Sequence, residues 1–104
     1  MKEIIRGKLY DTEQSQFIHS VEIEVHNKIE EKVKIEKLYK TNKNEKFFLV
    51  VYEKDRDPYK FTSQQVLDNE GWEIFEISDG EARLWAEKFL GVDDIEKIFE
   101  VELM

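Results

Sequence analysis

Residues Ile77 to Gly91, ISDGEARLWAEKFLG, decide how this chain folds. Ser78 stands where a helix N-cap would stand, and Glu81 follows three residues later. That spacing is a capping box, in which two side chains take up backbone amides that a first helical turn leaves unpaired. Asp79 and Glu81 fall at the positive end of the helix dipole and Lys88 near the negative end. Ala82, Trp85, Ala86, Phe89 and Leu90 recur at helical spacing and form one apolar stripe. Gly91 is placed to end the helix in a left-handed conformation. The stretch predicts an amphipathic helix over 78–90, and a one-sided helix needs a second layer to lie on.

The residues before it supply that layer as strands. Glu3 to Tyr10 reads as a first strand, with Gly7 marking a bulge or a close backbone approach. Asp11-Thr12-Glu13 has turn chemistry, because Asp and Thr side chains bond their own backbone. Phe17 to Val25 alternates strictly. Phe17, His19, Val21, Ile23 and Val25 are predicted on one face, with Ile18, Ser20, Glu22, Glu24 and His26 on the other. Asn27 to Lys32 is polar and reads as a connection, although Ile29 and Val33 also have the spacing of a short helix. Val33 to Thr41 and Lys46 to Tyr52 predict a hairpin around Asn42 to Glu45. Phe47 to Tyr52 is apolar on both faces, the mark of a central strand covered on both sides. The single main helix covers one face, which leaves the other for remaining segments, a second copy or a partner.

Glu53 to Pro58 reads as a charged loop. Ser63 to Asn69 has room for one or two helical turns, capped by Ser63 with Val66 and Leu67 inward. Trp72 to Ile77 is rich in strand formers. Asp93 or Asp94 can cap a last short helix that carries Ile95, Ile98 and Phe99. The expected fold is α+β: one domain over 1–104, an antiparallel sheet of four or five strands, the 78–90 helix on one face, and a short terminal helix.

Composition bounds the function. The 104 residues are 40% apolar and 38% charged, with 12% aromatic, which fits a soluble folded domain rather than a disordered one. No stretch has the length of a membrane span and the N-terminus lacks a signal-peptide core, so a cytoplasmic protein is expected. Without cysteine there is no disulfide framework and no thiolate nucleophile. The net charge of −8 is unevenly placed: residues 1–67 sum to +1 and residues 68–104 to −9. Lys34, Lys37, Lys40, Lys43 and Lys46 make 33–46 locally basic. An acidic whole argues against direct nucleic-acid binding, which needs concentrated positive charge.

Specific catalytic signals are missing. His19 and His26 have opposite strand parity and cannot share a metal, and His19 reads as a hydrogen-bonded core residue. Glu53, Asp55 and Asp57 alternate as oxygen ligands might, but Lys54 and Arg56 interleave them and a calcium loop's glycine is missing. There is no phosphate loop, nucleophile elbow or His-Glu-x-x-His helix. No enzyme, cofactor or metal is expected.

RGKLYDT (Arg6 to Thr12), LYKT (Leu38 to Thr41), FFL (Phe47 to Leu49), EARLWAEKFL and DIEKIF together resemble a family of small uncharacterised proteins of Gram-positive bacteria and their phages and mobile elements. The resemblance implies an antiparallel sheet, a capped helix and a short terminal helix, and carries no catalytic motif. The chain departs from it over residues 53–72, where such proteins tend to have a Gly-rich loop.

The acidic C-terminal part then gives the expected function. Glu76, Asp79, Glu87, Asp93, Asp94, Glu96 and Glu100, with Glu70, Glu73, Glu81 and Glu102, would present a negative surface to a basic groove on a partner protein. Trp72 is a candidate interface anchor, though a core position suits it better. A nucleic-acid-binding effector owns such a groove, and the family's genomic company suggests an inhibitor of host defence, anti-CRISPR-like in kind. The alternative is a homodimeric structural or accessory domain. The bland reading of the same charges is a solvated helix face that keeps the domain soluble.

Overall fold

The computed structural model describes residues 1–26, 31–55 and 71–104. The helix expected over Ser63–Asn69, the third carboxylate at Asp57, the connection through 27–30 and Glu70 of the expected acidic surface lie outside the described residues, as does the side chain of His26. The expected α+β architecture is present: a four-stranded antiparallel sheet, a separate two-stranded hairpin and two helices near the C-terminus.

The hairpin comes first. β1 (Lys2–Ile5) and β2 (Lys8–Asp11) pair antiparallel around Arg6 and Gly7. The two turn residues have φ of 51° and 77°. Left-handed values at both central positions are what a tight primed hairpin turn requires. The single strand expected over 3–10 is therefore two strands, and Gly7 reverses the chain rather than bulging it. A 3-10 turn over Thr12–Gln14 follows, with the Glu13 amide donating to Asp11 Oδ1 at 3.0 Å.

β3 (Ser15–His26), β4 (Glu31–Thr41), β5 (Phe47–Asp55) and β6 (Trp72–Glu76) lie in that order across the sheet, each antiparallel to the next. Two expected boundaries move. Glu31 and Lys32 belong to β4, and Glu53 to Asp55 extend β5 rather than opening a loop. In both places charged residues continue a ladder whose hydrogen bonds come from the neighbouring strand, so their polarity does not end it.

A register shift between Phe17 and His19 on β3 overturns the single-face reading of that strand. A bulge adds one residue and moves everything beyond it to the other face. Phe17 consequently packs edge-on against Tyr39, with ring centroids 5.5 Å apart, while Ile18 and Val21 pack on the helix side.

α1 (Asp79–Phe89) forms as its sequence predicts. Ser78 Oγ accepts from the Glu81 amide and Glu81 Oε1 from the Ser78 amide, each at 3.1 Å. Ala82, Trp85 and Ala86 are buried against Leu38 and Phe47, with Phe89 and Leu90 at the margin. The helix ends differently from the expectation. Gly91 has φ −79° and ψ 164°, an extended conformation, and serves as the N-cap position of α2 (Val92–Ile98). Neither Asp93 nor Asp94 caps that helix; both sit in its first turn, where the dipole still favours a carboxylate. Arg83 ties the helices together: its guanidinium lies over Phe99 and donates to the Glu100 carbonyl at 2.8 Å.

The second face of β5 is covered by the chain's own hairpin. Phe48 is fully buried, and Tyr10 of β2 meets it edge-on at 5.2 Å while Tyr39 stacks on it at 5.3 Å. Val50 and Ile74 complete this second core. The hairpin is held by Glu76, which accepts from the Tyr10 hydroxyl and from Arg6 Nε. The hairpin thus shields Phe48, Val50 and Ile74 on that face.

Candidate binding cleft

The strand register sets out the helix-side face of the sheet in rows. Leu38, Leu49 and Phe75 stand side by side on β4, β5 and β6, and Glu36, Val51 and Glu73 form the next row. Lys34 and Glu53 form the row beyond, with Gly71 at its end. The face thus passes from apolar to charged within two steps along the strands.

Helix α1 covers only part of it. Trp85 reaches over β4, where its Nε1 donates to Glu36 Oε1 at 3.1 Å, and its ring meets His19 of β3 edge-on at 6.3 Å. Among the described residues nothing covers the β5–β6 end, which forms a cleft of about 630 Å3. Leu49, Val51, Phe75 and Ile77 make its floor, and five glutamates with one lysine stand around them. A second hollow of about 350 Å3 shares Glu36, Leu49, Ile77 and Glu81 with it and runs along α1 past Leu84. Phe75 is 46% exposed and Leu84 67% exposed, large apolar side chains presented to water beside carboxylates.

The carboxylates are not equivalent. Glu36 is 12% exposed at its side chain and is engaged by Trp85 and by Lys34 Nζ at 3.4 Å. Glu76 is turned through the sheet to Tyr10 and Arg6, and their hydrogen bonds hold its carboxyl below its ordinary value. Tyr10 responds in the opposite sense: burial first, then the bond to Glu76, pushes its hydroxyl up to about 12. Glu81 gives one oxygen to the capping box. Glu53 and Glu73 have no hydrogen bond or ion pair with any described residue.

The residues singled out in the sequence fall in several places. Of the expected acidic surface, Glu76 lines this cleft, as do Glu73 and Glu81. Asp79, Glu87, Asp93, Asp94, Glu96 and Glu100 are exposed on or beside the two helices. Trp72 is half-buried, packed on Tyr52 at 5.0 Å with Lys37 Nζ 4.7 Å over its ring. His19 is half-buried on the helix side. Glu36 and Glu53 were missed as members of one site. The signal that would have found them is the β4–β5 register, which hydropathy alone does not fix.

A further hollow near the N-terminus of α1 is lined by Arg6, Lys8 and Lys46. The first-turn amide of Glu81 there is already taken by Ser78, which weakens it as an anion site. Among the described residues no three carboxylates or histidines are grouped to hold a metal, and no helix is long and apolar enough to cross a membrane. Comparison with protein-family models, with curated proteins and with solved structures found no match.

Proposed function

We propose that this chain is a non-enzymatic binding module that engages a basic surface of a partner protein. One observation carries the reading: large exposed apolar side chains adjoin carboxylates that have no partner among the described residues, at the β5–β6 end of the sheet. Apolar contact supplies the attraction that holds a complex together, and complementary charge speeds encounter and selects the partner. The exposed carboxylates of the two helices extend the same sign of potential. With the resemblance to phage and mobile-element proteins, the partner we favour is a nucleic-acid-directed defence effector, whose basic groove an acidic protein would occupy in an anti-CRISPR-like manner.

The test is retention of proteins from a Gram-positive bacterial lysate on the tagged chain, at low and high salt, with identification of what is held. A nucleic-acid-binding protein should be held at low salt and released at high salt, since screening weakens exposed charge pairs. The combined variant Glu87→Lys, Asp93→Lys, Asp94→Lys and Glu96→Lys, folded by circular dichroism, should retain less of it. Retention unchanged by both salt and charge reversal would overturn the reading.

A further inference from the structure

We infer that the open cleft beside α1 docks a cationic, amphipathic peptide segment of the partner. Its apolar side chains would lie on Leu49, Phe75 and Ile77, and a Lys or Arg would lie between Glu53 and Glu73. This rests on the reading above and narrows it, moving the decisive contact from the helices to the sheet.

The placement of the two unpaired carboxylates is the first ground. Val51 faces Glu73 across the β5–β6 ladder, so Glu53, two residues on, is a diagonal neighbour of Glu73 on the same face. Diagonal neighbours lie about 7–8 Å apart, within reach of long side chains. Two like charges at that distance repel each other, and a single cation between them relieves both. Among the described residues the nearest cation does not fill this place. Lys34 stands directly across from Glu53, yet its ammonium lies 3.4 Å from Glu36.

The floor is the second ground. Phe75 is 46% exposed one row from Glu73, and the hollow continues along α1 to Leu84 at 67% exposure. An inorganic ion would leave that apolar strip in water. An anionic or wholly apolar partner would meet Glu53, Glu73 and Glu81, while the one lysine of the lining is already engaged by Glu36. A peptide with apolar and cationic side chains in close succession matches both features, and a lysine or arginine stem covers apolar surface while its head stays with the carboxylates.

The probe is a short fluorescent peptide of alternating Lys and Leu, titrated by anisotropy at low and physiological salt. Two control peptides alternate Glu with Leu and Lys with Ser. The Lys–Leu peptide should bind, and the Glu53→Gln, Glu73→Gln double variant should weaken it by about tenfold, or roughly 1.4 kcal/mol. Phe75→Ser, at an exposed position, should weaken it to a similar extent with the circular dichroism spectrum unchanged. Glu3→Gln with Glu13→Gln, exposed on the hairpin and the turn after it, should change affinity by less than about twofold, as distant exposed charges do under screening. The proposal is overturned if the Glu53/Glu73 variant binds as the parent does, if the Lys–Ser peptide binds as tightly as Lys–Leu, or if the Lys–Leu peptide does not bind. Weakening by Glu87→Gln with Asp94→Gln, and not by the Glu53/Glu73 variant, would refute the cleft while leaving the broader acidic-surface reading intact. The lysate experiment fails independently of these outcomes.

Discussion

Replacing Trp85 by Phe isolates the contact that positions both the helix and the cleft wall. The indole is 8% exposed and donates to Glu36, whose side chain is 12% exposed. A hydrogen bond to an ionised acceptor contributes about 1.5–3 kcal/mol. Lys34 remains beside Glu36 in the variant and offsets part of the loss, so we expect a cost of ~2 kcal/mol. For a domain of this size each kcal/mol corresponds to about 4–8 °C, giving a Tm lower by roughly 8–16 °C. Urea unfolding should show an earlier midpoint with an unchanged slope, because the surface exposed on unfolding is nearly the same. The Glu36→Leu background separates bond from packing. There Trp85→Phe removes a donor that already lacks its acceptor, and the cost should fall by about 1–2 kcal/mol. A coupling below about 0.3 kcal/mol would refute the account, since Glu36 would then be stabilised by water rather than by Trp85.

Other substitutions follow from the same structure. Gly71→Ala should cost more than Gly7→Ala, although both glycines have positive φ. A Cβ at Gly71 would come within 2.8 Å of the Tyr52 ring, whereas Gly7 faces open space. The left-handed conformation alone costs about 1–2 kcal/mol, so chemical denaturation should place Gly7→Ala near that range and Gly71→Ala above it. Phe48→Ala should cost about 3–5 kcal/mol and leave little folded protein at 37 °C, as the ring is fully buried between Tyr10 and Tyr39. Tyr10 should ionise above the ordinary tyrosine value, near 12, in an absorbance titration compared with Tyr10→Phe. Because its folded value is raised above 10, its contribution to stability is complete below about pH 10 and is lost as the pH climbs toward 12. Glu76 acts in the other direction: its folded value is lowered, so its contribution holds above pH 4.5 and is lost as the pH falls. Glu76→Gln should flatten that acid limb in a melting series.

The fold was legible where the signals were local. Ser78, Glu81 and the stripe from Ala82 to Leu90 lie within one element, and the helix they predict is the helix that forms. The runs Phe17–Val25 and Phe47–Tyr52 likewise announced their strands through periodicity and apolar content. What failed depended on one residue's backbone or on distant partners. Arg6-Gly7 sits between apolar residues on both sides, so a continuous strand and a hairpin have the same hydropathy pattern. The bulge beside Phe17 leaves the alternation intact in sequence while changing which face it serves. Gly91 looked like a helix terminator because glycine usually is one, yet the second helix begins there and holds it extended.

The candidate site was less legible for the same reason. Its carboxylates come from β4, β5, β6 and α1, and only the register of three strands puts Glu36, Glu53 and Glu73 on one face. Read along the chain, Glu36 is one of two acids in the basic stretch 33–46, and Glu53 opens a charged tract. Trp72 shows the converse. Its position beside a glycine allowed a partly exposed anchor, with a core position favoured, and the ring is half-buried against Tyr52 and Lys37.

The most direct measurement of the central claim is an amide chemical-shift titration of the labelled protein with the Lys–Leu peptide at physiological salt. The cleft account predicts shifts concentrated at Glu36, Leu49, Val51, Glu53, Glu73 and Phe75, saturating together. Shifts confined to residues 87–100, or spread evenly over every acidic position without saturation, would contradict it.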